Sequence, residues 1–182
     1  APSHSWKTTF AMDMIQRNSW IGKKCFYINL EFAIETVRQN RRLYANWKTK
    51  KNITDLDPLT EQERSKMNDY VQKNLKKFEY FNDPKGITLQ ELVELIQSKH
   101  NQWYWFFVLD TFSKIDWNLD SKVSHTSQNN SMQVLQELCQ NLWVVVILLH
   151  HTNKKWEFEG SQKIMDLSNV FISITKDEWF WE

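Results

Sequence analysis

Strand-like and helix-like stretches alternate along these 182 residues, which predicts an α/β domain with a mostly parallel central sheet flanked by helices. Three observations carry that prediction. Residues 105–109 (WFFVL) and 144–149 (VVVILL) are apolar at every position, as parallel strands covered on both faces are. Stretches with apolar residues at helical spacing separate the strand-like runs. The strand-like runs also end on polar groups: Glu31, Asp110 and the pair His150-His151. Parallel α/β sheets bind ligands at the carboxyl ends of their strands, so these residues share the functional edge.

The elements follow in order. Residues 8–19 (TTFAMDMIQRNS) carry Phe10, Met14 and Ile15 near helical spacing. Residues 25–30 (CFYINL) form a short apolar strand ending on Glu31. Residues 32–46 read as a helix with Arg38, Arg41 and Arg42 on its polar side, followed by a polar stretch, 47–59, that contains Pro58. Thr60 with Glu63 three residues later forms a capping box, opening a charged helix to about Lys77. Residues 78–81 are a short strand, and Asn82-Asp83-Pro84-Lys85-Gly86 is a turn. Leu89, Leu92, Val93 and Ile96 give an amphipathic helix over 88–100. The strand at 105–109 ends in Asp110, and a polar loop spans 111–127. A helix at 131–142 leads into the strand at 144–149. A second polar loop, 152–163, precedes a last strand at 170–174. There is no internal repeat and no low-complexity linker.

Residues 1–8 (APSHSWKT) fit the pattern G-x-x-x-x-G-K-S/T, except that Ala1 and Trp6 stand at the two glycine positions. In that pattern backbone N–H groups cradle phosphates, the lysine meets the β/γ-phosphates and the final hydroxyl meets Mg²⁺. The corresponding residues are Ser3, His4, Ser5, Trp6, Lys7, Thr8 and Thr9 for the nucleotide, with Thr8 toward the metal. Glycine belongs at the second position because the backbone approaches phosphate closely there. An indole would fill that space.

Composition bears on the same point. The chain has 3 glycines and 10 tryptophans, which together match the roughly 13 glycines that average usage predicts. Trp20, Trp117, Trp143 and Trp156 sit at helix ends or in polar turns, where glycine has a backbone reason to be. UGA codons that mean glycine, read as tryptophan, would produce this pattern. The other reading is a tryptophan-rich chain that has lost its nucleotide site.

The length suits one domain, 1–182, with a full core. It opens on the loop without Met and without the strand expected before it, as a fragment lacking its N-terminal strand would. A net charge of +1 gives no global basic field for nucleic acid, although a local patch is compatible with it. Cys25 and Cys139 lie in apolar stretches without metal-ligand spacing and read as reduced core thiols of a cytoplasmic protein. No apolar run reaches the ~18 residues a membrane span needs, so no membrane role is expected.

The order of features resembles the RecA-like P-loop ATPase core: loop, strand ending in Glu31, apolar strand ending in Asp110, strand ending in His150. Within it the chain is most similar to the hexameric-helicase branch, the RepA and DnaB types. The segments that carry the resemblance are FYINLE (26–31), FNDPKGITLQELVELIQ (81–97), FFVLDTFSKI (106–115) and VVILLHHTNK (145–154). Gly160-Ser161 and Asp166 also fit those proteins, so the resemblance covers nearly the whole chain.

The resemblance implies Lys7 and Thr8 at ATP and Mg²⁺, Asp110 holding Mg²⁺ and Glu31 as general base. It puts His150 or His151 beside the γ-phosphate, and Lys154 near a subunit boundary, supplying charge in trans. It further implies Mg²⁺-dependent ATP hydrolysis in a ring-shaped homo-oligomer, coupled to single-stranded DNA binding or translocation in replication or recombination. Lys114, Lys122 and Lys155 would then lie on loops that face the channel.

Plainer readings stand beside these. Glu31 alone is a solvated strand-end acid, and the three arginines are a solvated helix face. Adjacent histidines on a strand point to opposite faces, which disfavours a shared zinc. Two other functions remain open: a regulatory ATPase of the KaiC kind acting on protein partners, and a catalytically dead scaffold if Trp6 is literal.

Overall fold

The computed structural model describes residues 5–31, 60–74, 78–116, 125–150 and 165–170. The elements are α1 (Ser5–Trp20), β1 (Cys25–Asn29), α2 (Glu61–Asn74), β2 (Phe78–Asn82), β3 (Ile87–Thr88), α3 (Leu89–His100), β4 (Phe106–Asp110), β5 (Ile115–Asp116), α4 (His125–Leu142) and β6 (Val145–Leu149). The helix expected at 32–46, the polar stretches at 47–59 and 152–163, and the strand residues 171–174 lie outside the described residues.

Four strands form one parallel sheet in the order β2-β1-β4-β6. Successive side chains of a strand point to opposite faces, so each strand feeds two cores. Cys25 and Tyr27 of β1, Phe106 and Val108 of β4, and Leu149 of β6 pack with Ala11, Met12 and Ile15 of α1. The intervening residues, Phe26, Ile28, Phe107 and Leu109, face the other way. They pack with Leu92 and Ile96 of α3 and with Met132, Leu135 and Leu138 of α4. Helices thus cover both faces of a sheet whose central strands, β1 and β4, are buried at every position. That burial is why those strands lack polar alternation.

α3 starts where its cap dictates. The Glu91 N–H donates to the Thr88 hydroxyl at 3.2 Å, and the Thr88 N–H donates to the Glu91 carboxylate at 2.9 Å. Before it, Gly86 N–H donates to the Asp83 carbonyl at 3.2 Å, closing the Asp83–Gly86 turn. Asn82 belongs to β2 rather than to that turn.

Two expectations are corrected. The polar stretch 111–127 is not simply a loop: Phe112–Lys114 is a 3₁₀ turn, and β5 pairs in parallel with β3 through Ile87 and Ile115. Phe112 and Ile115 are buried, and a pairing across 28 positions leaves no local periodicity to read. α4 begins at His125, six residues before the expected start. The polar run HTSQNN has no apolar stripe, but a docked helix propagates through such residues once Met132, Leu135 and Leu138 are packed.

Candidate nucleotide-binding site

The site is built at the carboxyl edge of the sheet by the period of two. Tyr27 and Asp110 share the face of β1 and β4 that α1 covers, since Asp110 continues the series Phe106, Val108. Thr8, in the first turns of α1, reaches the same point. Its hydroxyl donates to Asp110 Oδ2 at 2.7 Å. The Tyr27 phenol donates to the same carboxylate oxygen. Thr8 is 5% exposed and Asp110 1% exposed, so this is a buried polar cluster.

Lys7 and Glu31 complete it. Lys7 Nζ donates to the His150 backbone carbonyl at 3.1 Å, tying the start of α1 to the end of β6. Glu31 lies two residues beyond Asn29, the β1 residue in register with Asp110. The Glu31 N–H donates to Asn29 Oδ1 at 3.4 Å, and Asn29 Nδ2 donates to Asn82 Oδ1 at 2.6 Å, bracing this edge across β1 and β2. On the other side Thr111 Oγ1 donates to the Leu149 carbonyl at 2.8 Å, fastening β4 to β6.

Burial drives the electrostatics. Desolvation lifts Asp110 above the ordinary carboxylate range, with Glu31 adding to the rise, against hydrogen bonds from Tyr27 and Thr8 and the charge of Lys7. Desolvation also lowers Lys7, opposed by the charges of Asp110 and Glu31. Tyr27 is pushed well up, first by burial and then by Asp110. An acid raised by burial beside a lysine lowered by it is an incomplete electrostatic set. A hydroxyl and a carboxylate oxygen 2.7 Å apart are the hard oxygen donors that Mg²⁺ takes, usually one or two from the protein and the rest from water and phosphate.

The structure therefore gathers Lys7, Thr8, Glu31, Asp110 and the backbone of His150 in one place. The His150 ring instead stacks edge-on against Phe112, 5.9 Å between centroids. Ser5, Trp6 and Thr9 belong to α1, which corrects the expected loop ending at residue 8: the helix begins three residues earlier, at Ser5. Ser3, His4, His151, Lys122, Lys154, Lys155 and the Gly160-Ser161 pair lie outside the described residues. Lys114 is exposed on the 3₁₀ turn, and Asp166 is exposed. Tyr27, Asn29 and Thr111 were not singled out from sequence. The signal for Tyr27 was available, because it shares strand parity with the α1-facing side of β1.

The parallel sheet, the helices on both faces and the strand-end cluster define a RecA-like P-loop NTPase fold. Among solved structures, the ATPase domain of a DnaB-like helicase matches with a TM-score of 0.65 over 85% of this chain, at 15% identity. The chain spans 56% of that structure's length. No family model and no curated protein matches the sequence.

Proposed function

We propose that this chain is the core of an ATPase that hydrolyses ATP with Mg²⁺ and couples turnover to single-stranded DNA, as a ring-shaped cytoplasmic oligomer. The observation that carries the reading is the buried Thr8–Asp110 hydrogen bond, 2.7 Å, with Lys7 alongside. Lys7 faces the β/γ-phosphates, and Thr8 and Asp110 hold Mg²⁺, Asp110 directly or through its water. A bound Mg²⁺ takes up charge on the phosphate oxygens. Glu31 accepts a proton from the attacking water as its oxygen bonds to the γ-phosphorus and the bond to the ADP oxygen breaks. Tyr27 is a positioning residue that fixes Asp110 through its phenol. His150 or His151 senses the γ-phosphate, and Lys154 contributes charge from a neighbouring subunit.

The test is Mg²⁺-ATP turnover by the Trp6→Gly protein, with and without single-stranded DNA. Asp110→Asn or Glu31→Gln is expected to lower kcat by about 10²-fold or more, as loss of a group that acts on transition-state charge or proton transfer does. DNA is expected to raise turnover. Turnover indifferent to DNA would favour the regulatory ATPase acting on protein partners, which the net charge of +1 accommodates. Absence of ATP binding in every form would leave a scaffold.

A further inference from the structure

Among the described residues, four have a left-handed backbone: Gly22 (φ 92), Gly86 (φ 99), Trp103 (φ 70) and Trp143 (φ 56). Two are glycines and the other two are both tryptophans. Left-handed φ is rare for any residue with a Cβ, and the exceptions are mostly Asn, Asp and His. A bulky aromatic there is an outlier that needs a reason.

The helix ends supply the context. After α1, the Lys23 N–H donates to the Asn18 carbonyl at 3.0 Å and the Gly22 N–H to the Ser19 carbonyl at 3.1 Å. After α3, the Tyr104 N–H donates to the Lys99 carbonyl at 3.1 Å and the Trp103 N–H to the His100 carbonyl at 2.8 Å. After α4, the Val144 N–H donates to the Cys139 carbonyl at 3.2 Å. The first two are the paired bonds of a Schellman termination, and the third is its longer bond. One position in that motif must be left-handed, and glycine is the usual occupant. Gly22 fills it after α1; Trp103 and Trp143 fill the same position after α3 and α4. Their indoles gain little in return, being 68% and 85% exposed, with Trp103 leaning only toward the ring of Trp105 at 6.3 Å.

We infer that positions 103 and 143 are glycine in the protein its native cells make, their codons being UGA read there as glycine. Position 6 falls under the same inference. UGA is a stop in the standard code, and different bacterial lineages assign it to glycine or to tryptophan. The extension to position 6 rests on the proposed phosphate site, whereas positions 103 and 143 rest on backbone geometry alone. One consequence is negative. The shallow groove lined by Gly22, Lys23, Lys24, Trp103 and Trp105 loses an aromatic wall, so it is not a base-stacking surface.

Two measurements test the inference. In the chain as written, Trp103→Gly and Trp143→Gly are each compared with Trp103→Ala and Trp143→Ala by denaturant unfolding. Alanine removes the indole but keeps the Cβ, so the comparison isolates backbone freedom. Glycine is expected to raise the folding equilibrium constant roughly 5- to 30-fold over alanine at each site. No advantage of glycine over alanine would overturn the backbone argument. The second measurement reads the codons at 6, 103 and 143, and the masses of the matching peptides from native cells. UGA codons with glycine-mass peptides support the inference; UGG codons or indole-bearing peptides sink it. A Trp6→Gly protein that fails to bind ATP, while the helix-end variants gain stability, would remove the ATPase reading and leave this one intact.

Discussion

Asp110 shows how a single buried carboxylate ties stability to function. Its folded-state affinity for protons is raised, chiefly by desolvation. A group raised in this way stabilises the fold below its unfolded value, ordinarily 3.8, and that contribution is lost as pH rises through the folded value. The nucleotide-free protein is therefore strained by Asp110 at neutral pH. Asp110→Asn is expected to keep or raise the melting temperature near neutrality, and to reduce the difference between neutral and mildly acidic pH, while abolishing turnover. A variant that melts lower at neutral pH would show the carboxylate to be a net stabiliser. Cys25 gives a second prediction. Burial pushes its thiol up to about 12, so it is held as a neutral core group. Alkylating reagents at mildly alkaline pH are expected to spare Cys25 in the native protein and to modify it once denaturant is added. Native-state labelling at the rate of a free thiol, read by peptide mass, would contradict the buried assignment.

The elements joining the strands depend on small local devices. Gly86 has φ +99, and a Cβ built there would collide with the Lys114 carbonyl oxygen. Gly86→Ala is expected to cost about 2 kcal/mol, since both the backbone and the neighbouring 3₁₀ turn would have to shift. Thr88→Ala removes the acceptor that starts α3 and should cost about 1 kcal/mol. Both values come from urea unfolding. An unchanged midpoint for Gly86→Ala would mean that the turn relaxes freely. The capping box at Thr88 and the turn at Asp83–Gly86 were legible because their chemistry lies within a few consecutive residues. β3 and β5 were not, because two-residue strands paired across the fold have no period of their own.

The two faces of the sheet behave as separate cores in the molecule as a whole. Ile15 belongs to the cluster under α1, and Ile96 to the cluster under α3 and α4. Each Ile→Val change is expected to cost about 0.5–1.5 kcal/mol. The sheet lies between the two sites, so the double variant should equal the sum to within about 0.5 kcal/mol. A coupling well above that, measured by a double-mutant cycle, would indicate that the sheet transmits packing strain between its faces.

The alternation of strands and helices, the apolar character of β4 and β6, and the functional edge marked by Lys7-Thr8, Glu31 and Asp110 all follow from local pattern. Hydrophobic periodicity and the polar residue after a buried strand are short-range facts. The three-dimensional structure decided which of these residues meet. Strand register set Tyr27 and Asp110 on one face and brought Thr8 within 2.7 Å of the carboxylate. It also put the His150 backbone, rather than its ring, against Lys7. Backbone handedness at Trp103 and Trp143 belongs to the same category, since composition shows an excess of tryptophan but only φ shows where glycine is required. Contacts between positions a hundred residues apart depend on sheet order and helix docking, and no local spacing encodes them.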